Sequence, residues 1–192
     1  MHVSVSRSIG VPGAAASPPA SCQMSDRYRM ELVAARSYEP LTPADLEAIA
    51  AVAVRTLADI FDRAPVAGLY RDRLVLLALA QGSALHYLDG KSGIKDFDVW
   101  AFFEGGPPKP FPHRKRWSVD LGPSRFGRHP DDRGYSGRRL DIMGRSIAVI
   151  GGEAAEDAVR RWLGSRAKSA IALRRKPMFC LLPHRAFGER II

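Results

Sequence analysis

The sequence predicts an α+β domain: a mixed, partly antiparallel sheet with helices on one side. Three observations lead there. Several short apolar runs, rich in Val, Leu, Phe and Trp, have the composition of buried strands. Longer stretches repeat apolar residues at helical spacing and carry recognisable start and stop signals. The chain has 192 residues, enough for one domain with a real core and too few for two comfortable ones.

Residues 1–27 are rich in Ser, Ala, Gly and Pro and show no periodicity. Such a segment cannot bury enough apolar surface to offset the entropy of ordering, so a disordered tail is expected. Met24 and Met30 are each candidate starts. Residues 28–192 are expected to form the single domain. Its first helix should begin near Thr42, with Thr42 as N-cap, Pro43 at the first helical position and Asp45 supporting the first-turn amides. Leu46, Ile49, Ala50, Val52, Ala53, Leu57, Ile60 and Phe61 then build one wide apolar face, which Ala64-Pro65 ends.

Residues 74–80 read as a buried strand or as the body of a helix; periodicity alone does not separate the two. Gly82-Ser83 directly afterwards suggests a strand running into a tight turn. A short helix over 84–88 should follow, stopped by Asp89-Gly90. Residues 96–103 read as a strand opening on Asp96-Phe97-Asp98-Val99. Successive strand side chains point to opposite faces, so Asp96 and Asp98 share one face with Cα atoms about 6.5–7 Å apart. Two partly desolvated like charges at that spacing repel, and a divalent cation between them turns the cost into a binding site.

Residues 104–137 are expected to form a basic loop insert, punctuated by Gly105-Gly106-Pro107-Pro108 and then His113-Arg114-Lys115-Arg116-Trp117. A short hairpin around Trp117-Ser118-Val119 is the one piece of regular structure it suggests. A loop this long in a compact domain is usually functional or disordered. Residues 138–144 read as another strand, with Asp141 flanked by Leu140 and Ile142. An amphipathic helix over 153–163, a last helix over 167–175 and a closing strand over 178–182 complete the domain, followed by a basic tail.

Lys and Arg number 29 against 20 Asp and Glu, a formal charge of +9. That balance favours an anionic partner such as a nucleotide, nucleic acid or acidic lipid. The two cysteines, Cys22 and Cys180, imply neither a structural disulfide nor a zinc site. His86, His113 and His129 show no metal-ligand spacing. The longest apolar run falls far short of the ~20 residues of a membrane span, and the N-terminus lacks the apolar core of a secretory signal. A reducing, cytoplasmic setting with no membrane is expected.

If strand 138–144 lies beside strand 96–103, Asp141 reaches the face of Asp96 and Asp98. Three acids would then converge with no basic partner in the strand segments. That is hard to justify as a stabilising feature and easy to justify as a two-metal site for in-line attack on phosphorus. Gly82-Ser83, twelve intervening residues, Asp96-Phe97-Asp98-Val99 and the later Leu140-Asp141-Ile142 together resemble the nucleotidyltransferase superfamily of the DNA polymerase β type. The resemblance covers roughly residues 72–144. It implies a nucleotidyltransferase-like fold and transfer of a nucleoside monophosphate from an NTP to a hydroxyl, with release of pyrophosphate. Gly82 and Ser83 would hold the triphosphate, with Lys95 a further candidate nucleotide contact. Asp96, Asp98 and Asp141 would be catalytic and bind two Mg²⁺ ions, Asp141 helping to deprotonate the acceptor. Arg114, Lys115, Arg116, Arg138 and Arg139 are candidate contacts to an RNA, protein or small-molecule acceptor. The alternative is a non-catalytic module on the same scaffold that binds nucleic acid or a protein partner.

Overall fold

The computed structural model describes residues 35–112 and 115–192, which belong to one compact unit. The tail expected over 1–27, the candidate starts Met24 and Met30 and the acceptor contact expected of Arg114 therefore lie outside the described residues. The elements in chain order are α1 (Pro43–Arg63), α2 (Pro65–Gly68), β1 (Leu74–Ala80), α3 (Gln81–Asp89), β2 (Phe97–Glu104), β3 (Trp117–Asp120), β4 (Arg139–Ile147), α4 (Ala155–Leu163), α5 (Lys168–Leu173) and β5 (Phe179–Leu182). The five strands form one open sheet in the order β3-β4-β2-β1-β5. Only β2 and β4 run parallel; β1–β2, β1–β5 and β3–β4 are antiparallel. The α+β class and the mixed sheet are thus as the sequence indicates.

Helix α1 starts as its sequence dictates. The Asp45 carboxylate accepts from the Thr42 amide at 2.7 Å while the Asp45 amide donates back to the Thr42 hydroxyl, closing a capping box. Leu46, Ile49, Ala50, Ala53, Leu57 and Ile60 are buried against Leu77, Leu79, Phe97, Val99, Ala101 and Phe103 on one face of the sheet. The opposite face is covered as well. Leu76, Ala78, Trp100 and Phe102 pack with Ala158, Val159 and Leu163 of α4 and Leu173 of α5. Helices therefore flank both faces, not one. The cause lies in the strands: β1 and β2 are apolar at odd and even positions alike, so each face needs cover.

Residues 74–80 form a strand, as the Gly-Ser signal suggested. Helix α3 begins three residues earlier than expected, so Gly82 and Ser83 sit in its first turn rather than in a separate turn. Gln81 carries the reversal with φ +59°, a left-handed backbone that costs a non-glycine residue on the order of 1–3 kcal/mol. The expected basic tail after β5 instead folds back. The Ile191 amide donates to the Met178 carbonyl at 2.8 Å, and Ile191 is buried.

The insert over 104–137 is tied down by aromatic side chains. Phe111 is buried, stacks on Phe103 with ring centroids 4.4 Å apart and meets Tyr70 and Trp117 edge-on. Gly144 in β4 makes room for it: a Cβ there would lie 2.1 Å from the Phe111 ring. Phe126 is a second anchor, packed edge-on against Phe97. Strand β3 emerges from this insert and adds the outer edge beside β4, so the regular piece around Trp117 is one strand of the main sheet and not a separate short hairpin. No helix among the described residues is long and apolar enough to cross a membrane.

Candidate acidic site at the sheet end

Parallel pairing of β2 with β4 runs without interruption from Phe97↔Leu140 to Glu104↔Ile147 and sets Asp98 directly beside Asp141. Residues in register in adjacent strands point to the same face, so the two carboxylates are neighbours although 43 positions separate them in the chain. Ala80, the last residue of β1, is the partner of Asp98 on its other side. The acid pair therefore stands where β1 turns through Gln81 into α3. The sheet end reads, strand by strand, Ser118, Asp141, Asp98, Ala80.

The two acids have different surroundings. Asp141 is fully buried and well held. The Ser118 hydroxyl donates to its Oδ1, and Arg116 Nη1 lies 3.3 Å from its Oδ2. Asp98 has no hydrogen bond or ion pair to any described residue. Burial, then the charges of Asp96 and Asp141, push its carboxyl up to about 7, against the opposing pull of Arg116 and Lys176.

Asp96 is near enough to act on Asp98 but is otherwise committed. It lies in the bend before β2, and its Oδ2 accepts from Arg139 Nη2 at 2.7 Å. Arg139 is a three-way fork. Its Nη1 reaches Asp132 Oδ1 at 3.0 Å, and its Nε lies 3.3 Å from Asp141 Oδ1 without the alignment of a hydrogen bond. One expectation changes here. The acids do have basic partners, one of them, Arg139, inside strand β4. Among the described residues no three acid, His or Cys side chains are grouped so as to hold a metal ion. The structure brings Asp98 and Asp141 together and leaves Asp96 attached to Arg139.

The basic residues assigned to an acceptor divide into distinct roles. Arg138 is buried and donates to the carbonyls of Phe126, Ala35 and Lys95 at 2.9, 2.8 and 3.1 Å, so it ties the insert to the sheet and is turned away from solvent. Replacing it with Met would leave three carbonyls short of a donor. A loss of roughly 3 kcal/mol in urea unfolding is expected, with any nucleotide affinity of the folded fraction unchanged. Arg139 is consumed by the acids. Lys115 is exposed, and Arg116 is about half exposed even while paired to Asp141. Lys95 is half buried, with its carbonyl taken by Arg138.

At the head of α3, Ser83 is buried and its hydroxyl donates to the Ala80 carbonyl at 3.1 Å, so its side chain is committed to the β1–α3 junction. No side chain caps α3, so its first-turn amides keep their affinity for an anion. A Cβ at Gly82 would meet nothing within 4 Å, so packing does not account for glycine at that position. His86 packs within α3 as a linker of loops, accepting from the Gly93 amide at Nδ1 and meeting the Glu39 carbonyl at Nε2.

Sequence reasoning missed Lys176. It precedes β5 and reaches the site only because β5 lies beside β1, a pairing for which the sequence carries no local signal. A cavity of about 540 Å³ runs between α1 and β3, lined by Val52, Thr56 and Val119, and one of about 350 Å³ is lined by Thr56, Ile60 and Trp117 together with Arg116 and Ser118, the residues that hold Asp141. Comparison with protein-family models, with curated proteins and with solved structures finds no match to the chain.

Proposed function

We propose that the protein is a Mg²⁺-dependent nucleotidyltransferase that moves a nucleoside monophosphate from an NTP to a hydroxyl acceptor. The observation that carries this reading is the in-register pair Asp98–Asp141, one member of which forms no ion pair with any described residue. A carboxyl held near 7 by burial and by two neighbouring acids is an unfavourable arrangement for a merely structural side chain. It suits a ligand that brings positive charge of its own. The donor set fits: Mg²⁺ in phosphate-handling sites is commonly held by one or two carboxylates together with substrate phosphates.

Asp98 and Asp141 would hold the metal, and Asp96 would join them on releasing Arg139. When bound, the metal supplies charge neutralisation for the phosphoryl oxygens and the leaving group. The chain's own groups account for the rest. The free amides at the first turn of α3, at Gly82 and Ser83, receive phosphate oxygens. The acceptor oxygen forms its bond to the α-phosphorus as the bond from that phosphorus to the β-bridging oxygen breaks, and pyrophosphate leaves. The acceptor proton passes to the Asp98–Asp141 pair. Ser118 and Arg116 keep Asp141 in position throughout.

Isothermal titration of ATP, CTP, GTP and UTP in the presence of Mg²⁺ tests the reading. At least one should bind to the wild type and lose that binding in Asp98→Asn. No heat from any of the four would overturn it. The alternative of a basic nucleic-acid module draws less support from the fold, because Arg125, Arg138 and Arg139 of the basic stretch are engaged with Asp45, backbone carbonyls and the site acids.

A further inference from the structure

We propose that Lys176 is the residue that grips the distal phosphates of the nucleotide, so that the site selects triphosphates over monophosphates. The inference rests on the nucleotidyltransferase reading above. Its basis is placement at the sheet end. Asp98 pairs with Ala80 at the end of β1, and Leu79 pairs with Phe179 at the start of β5. The residues just before Phe179 therefore run past the β1–α3 junction on the side away from β4. Lys176 lies there, three residues before β5 and on the far side of β1 from Asp98. It follows directly on α5, which covers the face that carries Asp98 and Asp141. It is exposed and pairs with no described carboxylate.

The row of groups along this edge has a direction. Arg116 stands outside Asp141 on the β3 side, the acids occupy the middle, the uncapped amides of α3 follow, and Lys176 stands beyond them on the β5 side. A polyphosphate whose α-phosphorus sits over the acid pair extends its tail along that row in one sense only. Towards β5 it meets amides and then an ammonium. Towards β3 it meets the buried side of Asp141 and a guanidinium already paired to it. The tail therefore lies over α3 with its end at Lys176, and the acceptor approaches from the Arg116 side. An ammonium is a compact point charge well suited to a terminal phosphate.

The test compares Mg²⁺-dependent binding of ATP, AMP and inorganic tripolyphosphate to wild type, Lys176→Ala, Lys176→Arg and Lys109→Ala. Lys109 is equally exposed, but its carbonyl is tied to Tyr70 near the far end of the sheet, so its variant controls for lost charge. Lys176→Ala should weaken ATP and tripolyphosphate about tenfold or more and leave AMP unchanged, while Lys176→Arg and Lys109→Ala stay close to wild type. ATP affinity retained within about twofold in Lys176→Ala, or an equal loss for AMP, overturns the assignment of Lys176 and leaves the proposed function standing. Absence of ATP binding to the wild type overturns the proposed function itself.

Discussion

Asp98→Asn should abolish pyrophosphate release and, in the same protein, raise the melting temperature. The first effect follows from the proposed role: removing a carboxylate that holds the metal is expected to lower turnover by about a thousandfold or more, the scale seen when a main electrostatic element of a site is lost. The second follows from linkage. The Asp98 carboxyl moves from 3.8 to about 7 on folding. A folded value raised in this way stabilises the native state fully below about pH 4, and that contribution is lost as pH rises through about 7. At pH 8 without divalent cations the wild type carries a poorly compensated charge beside Asp141, and the Asn variant does not. Allowing for the part of Asp98 that solvent screens, the gain is about 1–2 kcal/mol, or roughly 2–8 °C for a domain of this size. The gap should close towards pH 5, where the wild type takes up the proton. Adding Mg²⁺ and NTP should stabilise the wild type and not the variant. Scanning calorimetry with EDTA at pH 5 and pH 8 measures this, and a variant less stable than wild type at pH 8 would mean that Asp98 has an internal partner.

Phe111→Ala should be among the most damaging substitutions in the domain although it falls in a loop. The ring is buried, stacked on Phe103 and seated over Gly144, which has no side chain to fill the space left behind. Deletion of a buried aromatic ring costs about 3–5 kcal/mol, which corresponds to roughly 10 °C here. The damage should also reach the acids. Phe111 supports Trp117, and the next residue, Ser118, donates to Asp141. Faster hydrogen exchange at the β3 amides than at those of β1 is therefore expected. A loss below about 1 kcal/mol would show that the insert contributes little to the core.

The contrast between these two positions shows what a linear reading recovers. The Asp98–Asp141 pairing was legible because strand periodicity is local: each acid lies between apolar neighbours, and period two assigns its face before any partner is known. The capping box at Thr42 and Asp45 is legible for the same reason. Phe111 and Phe126 were not, because two aromatics scattered through a Gly- and Pro-rich stretch carry no period. Only the gap above Gly144 and the edge of Phe97 give them a place. The run Arg138-Arg139 reads as one basic patch, yet neighbouring strand residues face opposite ways. Arg138 enters the layer beneath the insert and Arg139 enters the acids. Helices on both faces were legible in principle from the unbroken apolar runs of β1 and β2. The early start of α3 was not, since Gly and Ser are poor helix formers and the junction with β1 overrides their preference.

The parallel ladder between β2 and β4 makes the site a matter of parity. An odd insertion ahead of Asp141 within β4 would swing its carboxylate into the aliphatic layer that Val99 and Ile142 occupy, and an even one would only slide it along the same face. A chain that keeps this chemistry can thus vary the 104–137 segment in length only between its anchors, Phe111, residues 116–120 in and just before β3, and Phe126. Between Arg139 and Asp141 it tolerates no single-residue change in length.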